Sequence, residues 1–589
     1  MAIADERPKL IVGVDFGTTF SGVAWGLEDC PDDIELIQTW PGGGNITSQK
    51  VPTLCSYDDS RMQWGYQTNR SIHPGKEQRL IQGVKLLLDE SQKFRYAPAA
   101  DSHEIIKDMK KTPTEVAGDY LGKLVGHAHD VLTRRFGTAL QTMDLEYILT
   151  VPAVWSDKAK DLTMQAAQQA GISAANLRLL SEPEAAAVCA IRTIQPNTIA
   201  EDDCLIVCDA GGGTVDIITY RVKQSDPLTF EEATKGTGAV CGSVMLDERF
   251  DALIKSIIEK QLHKPLPQST ARAARKYWQD YIKPGYTGPL DDDEMCDVGY
   301  WVPVPGVSGI SNIELSEGHL YLDRDQVKGI FDPIIKQIEN LVAEQRTSVK
   351  VAGLSTKAII LVGGLGASGY LFKRLQAAFN DIQIMQPPNA WSAVVRGAVI
   401  RGQEGNQVET RIARCSYGIS MKIKFNPEIH RADENLMWCP YEEVSQVHKR
   451  MRWYILKVSN LPHLLGIFEE ILSADLRDFE GNPVAESEPI RMGFYRVVGL
   501  GQPLVFQDSL QFCQGNKAPE TMDSSVVNLC EVEADLSRIP RELFTKKTNS
   551  KGNEFYHIDY DLVLTPTSAS LLFDLQFNGV SYGSVRSRY

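Results

Sequence analysis

The sequence predicts an α/β protein of two related lobes followed by a β-rich C-terminal domain. Three observations lead there. A strand–aspartate–glycine/threonine turn–strand device occurs twice, strands alternate with amphipathic helical runs through the first two-thirds, and strand-like pieces dominate beyond residue 403.

The first device begins with the apolar, β-branched run Leu10-Ile-Val-Gly-Val14. It is closed by Asp15 and the turn Gly17-Thr18-Thr19, and Ser21-Gly-Val-Ala-Trp25 can return as the second strand of a hairpin. The second lies 194 residues on: Leu205-Ile-Val-Cys208, Asp209, Gly211-Gly-Gly-Thr214, then Val215-Asp-Ile-Ile218. Each lobe would thus present one turn to a shared cleft. Ser156-Asp157 can cap a helix through Gln169, with Gly171 as its stop. Asp247 opens an amphipathic run to about Gln261, and Asp325 opens another to about Gln345, with Val327, Ile330, Phe331, Ile334, Ile335, Ile338 and Leu341 at helical spacing. Ala358–Val362 reads as a buried strand ending in Gly363-Gly364, and a helix with Leu371, Phe372, Leu375 and Phe379 on one face follows. Beyond a boundary expected near Gly402–Gly405 come Trp453–Val458, Tyr560–Leu564 and Leu571–Phe577, the last closed by the turn Asn578-Gly579. The expected domains are 8–402 and 403–589.

A chain of 589 residues is too long for one hydrophobic core. With 43 % apolar and 23 % charged residues it has the composition of an ordinary globular protein. The formal net charge of −15 argues against binding that relies on neutralising nucleic-acid phosphates. The charged N-terminus does not have the form of a leader peptide, no run of 18 apolar residues suggests a membrane span, and the last residues match no lipidation signal. Eleven cysteines occur without C-x-x-C pairing, and Cys204 and Cys208 sit in an apolar run that suits buried thiols. A cytoplasmic location is expected, with neither nucleic acid nor membrane as partner.

A glycine-rich turn approaches a polyphosphate closely because no Cβ intervenes, and its N–H groups cradle the phosphates. Gly17, Thr18, Thr19 and Gly211, Gly212, Gly213, Thr214 fit that role. One such hairpin is commonly only a hairpin, whereas two related ones, each after a strand ending in aspartate, point to nucleotide. Asp15 and Asp209 suit Mg²⁺ held through waters, since that ion dehydrates reluctantly. No G-x-x-x-x-G-K-[ST] occurs, which excludes a P-loop enzyme.

These stretches carry a family resemblance. Ile11-Val-Gly-Val-Asp15-Phe-Gly-Thr-Thr-Phe-Ser21 resembles the first phosphate motif of the heat-shock 70 family, and Asp209-Ala-Gly-Gly-Gly-Thr-Val-Asp216 resembles the second. Leu149-Thr-Val-Pro-Ala-Val-Trp155, Leu180-Ser-Glu182-Pro-Glu-Ala-Ala-Ala187 and Leu361-Val-Gly-Gly364 resemble further motifs of that family in its order, so the resemblance spans residues 8–402. Gly238-Ala-Val-Cys-Gly242-Ser243-Val-Met-Leu-Asp247 is more similar to the divergent heat-shock 12A-like branch, abundant in fungi.

The resemblance implies an actin-like ATPase fold, with duplicated ribonuclease H-like lobes that hold ATP or ADP with Mg²⁺ between them. It implies slow hydrolysis with Lys85, Glu182, Asp209 and Asp216 as catalytic residues. Asp15 and Asp209 would order the metal's waters, and Gly242, Ser243, Gly363 and Gly364 would join the phosphate turns around the nucleotide. On the residues alone, Lys85 also reads as a solvated surface lysine and Glu182 as a helix-start carboxylate. Where the usual chaperones carry a small polar residue and an arginine after the Gly-Gly pair, this chain has Leu365 and Ala367. Trp391 stands where the family has an aspartate, and reads either as a stack for the base or as a core residue. Lys283 is a looser match to an adenosine-contacting lysine.

The family's hydrophobic linker, peptide-binding sandwich and acidic tail are not evident in the sequence. The alternating apolar residues near the C-terminus read as core rather than client groove. Protein clients or cochaperones remain expected partners beside ATP. Two other functions stay open, a nucleotide-binding scaffold with little hydrolysis and a small-molecule kinase of the same superfamily.

Overall fold

The computed structural model describes residues 7–58, 61–70, 79–90, 96–194, 198–262, 265–288, 299–307, 314–428, 430, 436–457, 484–584 and 587–588. The first six residues, Val458 of one expected strand and the terminal Tyr589 lie outside them. Two compact units emerge: residues 1–229 with 236–407, and residues 230–235 with 408–589.

The first unit contains the duplicated architecture. Strand Lys9–Asp15 pairs antiparallel with Phe20–Leu27, Asp15 opposite Gly22, and parallel with Asp144–Val151, which pairs parallel with Leu177–Ser181. In the second lobe Cys204–Ala210 pairs antiparallel with Val215–Ser225, Asp209 opposite Asp216, and parallel with Thr356–Val362, which continues parallel to Gln383–Met385. Both central strands are buried almost end to end, as strands covered by helices on both faces must be.

Helix Ala393–Glu404 returns the chain to the first lobe, packing on Lys9–Asp15, Phe20–Leu27 and Asp144–Val151. It also packs on helix Glu182–Thr193, which in turn touches Cys204–Ala210 and Val215–Ser225 of the second lobe. The closest approach is at Gly397, where a Cβ would stand 1.8 Å from the Ala185 carbonyl oxygen, so only glycine fits. The second lobe's core gathers Phe250, Trp278, Tyr286, Ile335, Ile359 and Leu371.

The expected elements are present, with shifted ends. Asp157–Gln169 is capped by the Ser156 side chain, and Gly171 follows at φ 97°. The helix expected from Asp247 starts at Ser243, because Ser243 N–H and Val244 N–H donate to the Gly211 and Gly212 carbonyls. The helix expected over 325–345 runs Arg324–Val351, starting from a reciprocal Asp323/Gln326 cap and continuing because buried Val349 extends its apolar face. Helix Gly369–Ala378 is capped by Ser368.

The second unit is built of antiparallel sheet. One sheet orders Leu436–Cys439, Val444–Ile455, Ser416–Lys424, Val505–Cys513, Val526–Asp535 and Ser587–Arg588. The other orders Ile490–Gly499, Glu554–Pro566, Leu571–Phe577 and Val580–Ser584, with Thr545–Thr548 added to Glu554–Pro566. Ile419, Leu510 and Val532 from the first share one core with Met492, Ile558, Leu562 and Phe573 from the second, so the sheets form a sandwich. Asn578 and Gly579 both have positive φ, 50° and 77°, as a tight hairpin turn between right-twisted strands requires. No α-helix occurs in this unit among the described residues.

No disulfide joins the cysteines of the described residues. No helix among them is long and apolar enough to cross a membrane.

Candidate nucleotide site

The register of the two hairpins places Asp15 and Asp209 at equivalent strand ends, and the turns that follow meet face to face. A Cβ on Gly212 would lie 2.2 Å from Thr19 Oγ1, and one on Gly213 would lie 2.5 Å from Thr18 Oγ1. The first lobe's threonines therefore sit directly on the second lobe's glycines, an approach that any side chain there would prevent. Gly242 closes the arrangement: its N–H donates to the Gly213 carbonyl at 3.1 Å, and a Cβ there would strike the Gly212 carbonyl.

Four carboxylates gather behind these turns. Asp15, Asp209, Asp216 and Glu182 are all buried, and each of the others raises the proton affinity of Asp209. Burial and then these three acids hold the Asp209 carboxyl well above the usual carboxylate range, while nearby Lys50 opposes them. Burial pushes Glu182 up to about 7 against the pull of Lys85. Asp216 accepts the Val154 N–H at 3.2 Å, which ties the Pro152–Trp155 turn of the first lobe to the second hairpin.

Lys85 is 3 % exposed, so it is not a solvated surface lysine. It lies in the short 3₁₀ turn Val84–Leu88, all of whose residues are buried, entered through Gly83 at φ 67°. Its ammonium donates to Glu182 Oε1 and lies 5.4 Å from the centre of the Trp155 ring. Glu182 is the first residue of helix Glu182–Thr193, so the helix-start description holds. The Trp155 indole N–H is buried and finds no acceptor among the described residues.

The turn at Gly363 and Gly364 packs against the end of the second hairpin's first strand. Leu365 N–H and Gly366 N–H both donate to the Ala210 carbonyl, hooking this turn onto the end of Cys204–Ala210. A Cβ on Gly363, at φ 86°, would fall 2.4 Å from Asp209 Oδ1. Gly364 faces Trp391, whose indole would lie 3.5 Å from an added Cβ. Trp391 is half-buried and meets the Phe20 ring edge-on at 5.7 Å, which makes it a partly accessible wall rather than an interior core residue.

Lys283 lies just beyond a π turn, Trp278–Ile282, and its ammonium is held 3.0 Å from Asp247 Oδ1. Trp278 donates its indole N–H to the same oxygen at 2.7 Å. The lysine thus packs one helical turn beyond Ser243, as the partner of a buried aspartate.

Three participants were not expected from the sequence: Lys50, Trp155 and the Val154 N–H. Lys50 donates to Asp15 Oδ2 at 2.6 Å, and both residues are buried. No local pattern signals it, because only the folding of residues 48–53 against the first hairpin brings it there.

The donor set fits Mg²⁺ in chemistry, since hard carboxylate oxygens crowd beside the two turns and raise the proton affinity of Asp209 and Glu182. Among the described residues no three His, Cys, Asp or Glu converge closely enough to ligate an ion directly.

Comparison with known proteins agrees with this geometry. The model of the Hsp70 protein family matches residues 11–265. Human heat shock 70 kDa protein 12A is 24 % identical over 516 residues, covering 73 % of this chain and 75 % of that protein. Human heat shock 70 kDa protein 12B is 24 % identical over 522 residues, covering 73 % and 74 %. A chaperone protein HscA homolog of Acinetobacter baumannii (strain AYE) is 28 % identical over 269 residues, 44 % of this chain and 39 % of that protein. The family match begins in the first phosphate strand and runs through both turns, and its nucleotide-binding domain implies ATP binding. These matches support a divergent protein of the heat-shock 70 family, with an actin-like ATPase fold and a β-rich C-terminal region.

Proposed function

We propose that the protein is a slow Mg²⁺-dependent ATPase whose nucleotide state alters the angle between its lobes and, through it, the C-terminal unit. The observation that carries this reading is the meeting of the Thr18-Thr19 turn with the Gly212-Gly213 turn above a buried set of carboxylates and lysines. Thr18, Thr19 and the N–H groups of Gly211–Thr214 would hold the β- and γ-phosphates. Mg²⁺ bound through waters to Asp15 and Asp209 would neutralise phosphate charge.

Lys85, fixed by Glu182, would orient the γ-phosphate for in-line attack by water. The water oxygen bonds to the γ-phosphorus as the bond to the β–γ bridging oxygen breaks. Glu182, with its proton affinity near neutrality, can take the proton that the water loses, and Asp216 with the Val154 N–H fixes the floor of the site. Gly363, Gly364 and Trp391 would receive the base and ribose, and Ser243 with Lys283 would line the helix end beside them.

Phosphate release from ATP in the presence of Mg²⁺, with Asp209→Ala as control, tests the reading. Release above the control that depends on Mg²⁺ supports it. Binding without release would instead identify a nucleotide-binding scaffold. Transfer to an added sugar or polyol faster than to water would identify a kinase. Protein clients and cochaperones belong to this reading as partners, on the strength of the family alone.

A further inference from the structure

The phosphate site contains a second lysine whose position is built as deliberately as that of Lys85. Residues 48–53 are pinned to the first hairpin at several points. Val51 pairs with Ser21 and Pro52 with Phe20. Thr53 N–H donates to the Thr19 carbonyl at 2.8 Å, Thr53 Oγ1 donates to the Gly17 carbonyl at 2.8 Å, and Ser21 and Thr53 hydroxyls meet at 2.9 Å.

Lys50 is thereby swung under the turn. Its stem lies over Gly22, where a Cβ would come within 3.2 Å of the lysine Cγ, so the glycine leaves the slot that the side chain fills. The ammonium ends 2.6 Å from Asp15 Oδ2, and its charge also acts on Asp209 in the other lobe. A lysine is rarely buried without a partner, and this one is matched to the two aspartates nearest the phosphate turns.

We propose that Lys50 is a positioning residue that serves as a resident counter-cation for Asp15 and Asp209, so that nucleotide phosphates enter this site with reduced dependence on Mg²⁺. The inference rests on the ATP reading above. The four carboxylates repel a polyanion, and Lys85 is already committed to Glu182. Lys50 cancels the repulsion from Asp15 whether or not a metal is present. Removing it leaves Asp15 bare, which makes entry of the phosphates depend on Mg²⁺ for charge neutralisation.

The test is binding of a fluorescent ATP analogue to the full chain, in Mg²⁺ and in EDTA, without reference to turnover. Wild type should lose no more than about tenfold in affinity on transfer to EDTA, whereas Lys50→Met should lose about a hundredfold, within the usual span of such couplings. Lys50→Arg should behave as wild type, and thermal melts report whether each variant is folded. Equal Mg²⁺ dependence in wild type and Lys50→Met overturns the proposal. So does a wild type that loses about a hundredfold in EDTA, a result that needs no variant to fold. If wild type binds the analogue in neither buffer, the ATP reading itself has failed, and this one with it.

Discussion

The Lys85 ammonium donates to the Glu182 carboxylate across 97 residues of sequence, both groups buried in the first unit. The lysine comes from a 3₁₀ turn of the first lobe and the carboxylate from the helix that touches both lobes. An ion pair so placed is costly to bury, and it is worth keeping where a substrate can exchange for one of its partners. Lys85→Ala should leave ATP affinity within a few-fold and lower phosphate release by about 10²–10³-fold, the usual loss of one charge-stabilising group. Single-turnover release beside equilibrium binding separates the two effects. Equal loss in both would make Lys85 a binding residue instead.

Asp209 predicts a pH-dependent exchange of stability for function. Its folded-state proton affinity lies well above its unfolded value of 3.8, so the folded state binds that proton more tightly. The stability linked to this group is therefore fully present below pH 3.8 and is lost as pH rises toward the folded value. Asp209→Asn removes the charge, so its stability relative to wild type should be near zero at pH 4 and should grow toward pH 7.5. The melting temperature should rise by roughly 2 °C for each kcal/mol relieved. The same variant should bind Mg²⁺-nucleotide poorly. A melting-temperature difference that is flat in pH would contradict the carboxylate crowding.

The meeting of the turns predicts unequal responses from adjacent glycines. Gly212→Ala would drive a methyl group to 2.2 Å from Thr19 Oγ1, whereas at Gly211 the nearest obstacle is the Thr214 carbonyl at 3.2 Å. A displacement on the order of 1 Å can cost about 10²-fold where geometry carries binding. Gly212→Ala should lose about that much ATP affinity, and Gly211→Ala less than about threefold, as for changes away from critical contacts. Titration calorimetry on both variants distinguishes this steric effect from a general need for glycine.

Trp391 predicts where base recognition lies. It forms a half-buried wall beside Gly364, braced by Phe20, and no arginine follows the Gly-Gly pair in this chain. Loss of a stacking ring costs about 1–3 kcal/mol, or about 5–150-fold in affinity. Trp391→Ala should lose that for ATP and nothing for inorganic tripolyphosphate, which has no base to stack. Equal losses for the two ligands would return Trp391 to a purely structural role.

The sequence by itself determined both hairpins, because a buried strand, its terminal aspartate and a glycine turn are contiguous and their signal is local. It also determined the helix opened by Ser156, whose side chain caps the backbone within three residues of itself, whereas the helix expected from Asp325 is in fact opened by the Asp323 cap. The β-rich character of the C-terminal region was legible in short alternating runs and in Asn578-Gly579. Tertiary structure alone decided the rest. The start of the helix at Ser243 depends on carbonyls of a turn 32 residues earlier. The burial of Lys85 depends on a carboxylate 97 residues away, and that of Lys50 on one 35 residues away. The gathering of two sheets into one C-terminal core likewise has no local signature. A lysine reads the same in sequence whether water or a distant carboxylate surrounds it, because charge and side-chain length are local properties and desolvation is not.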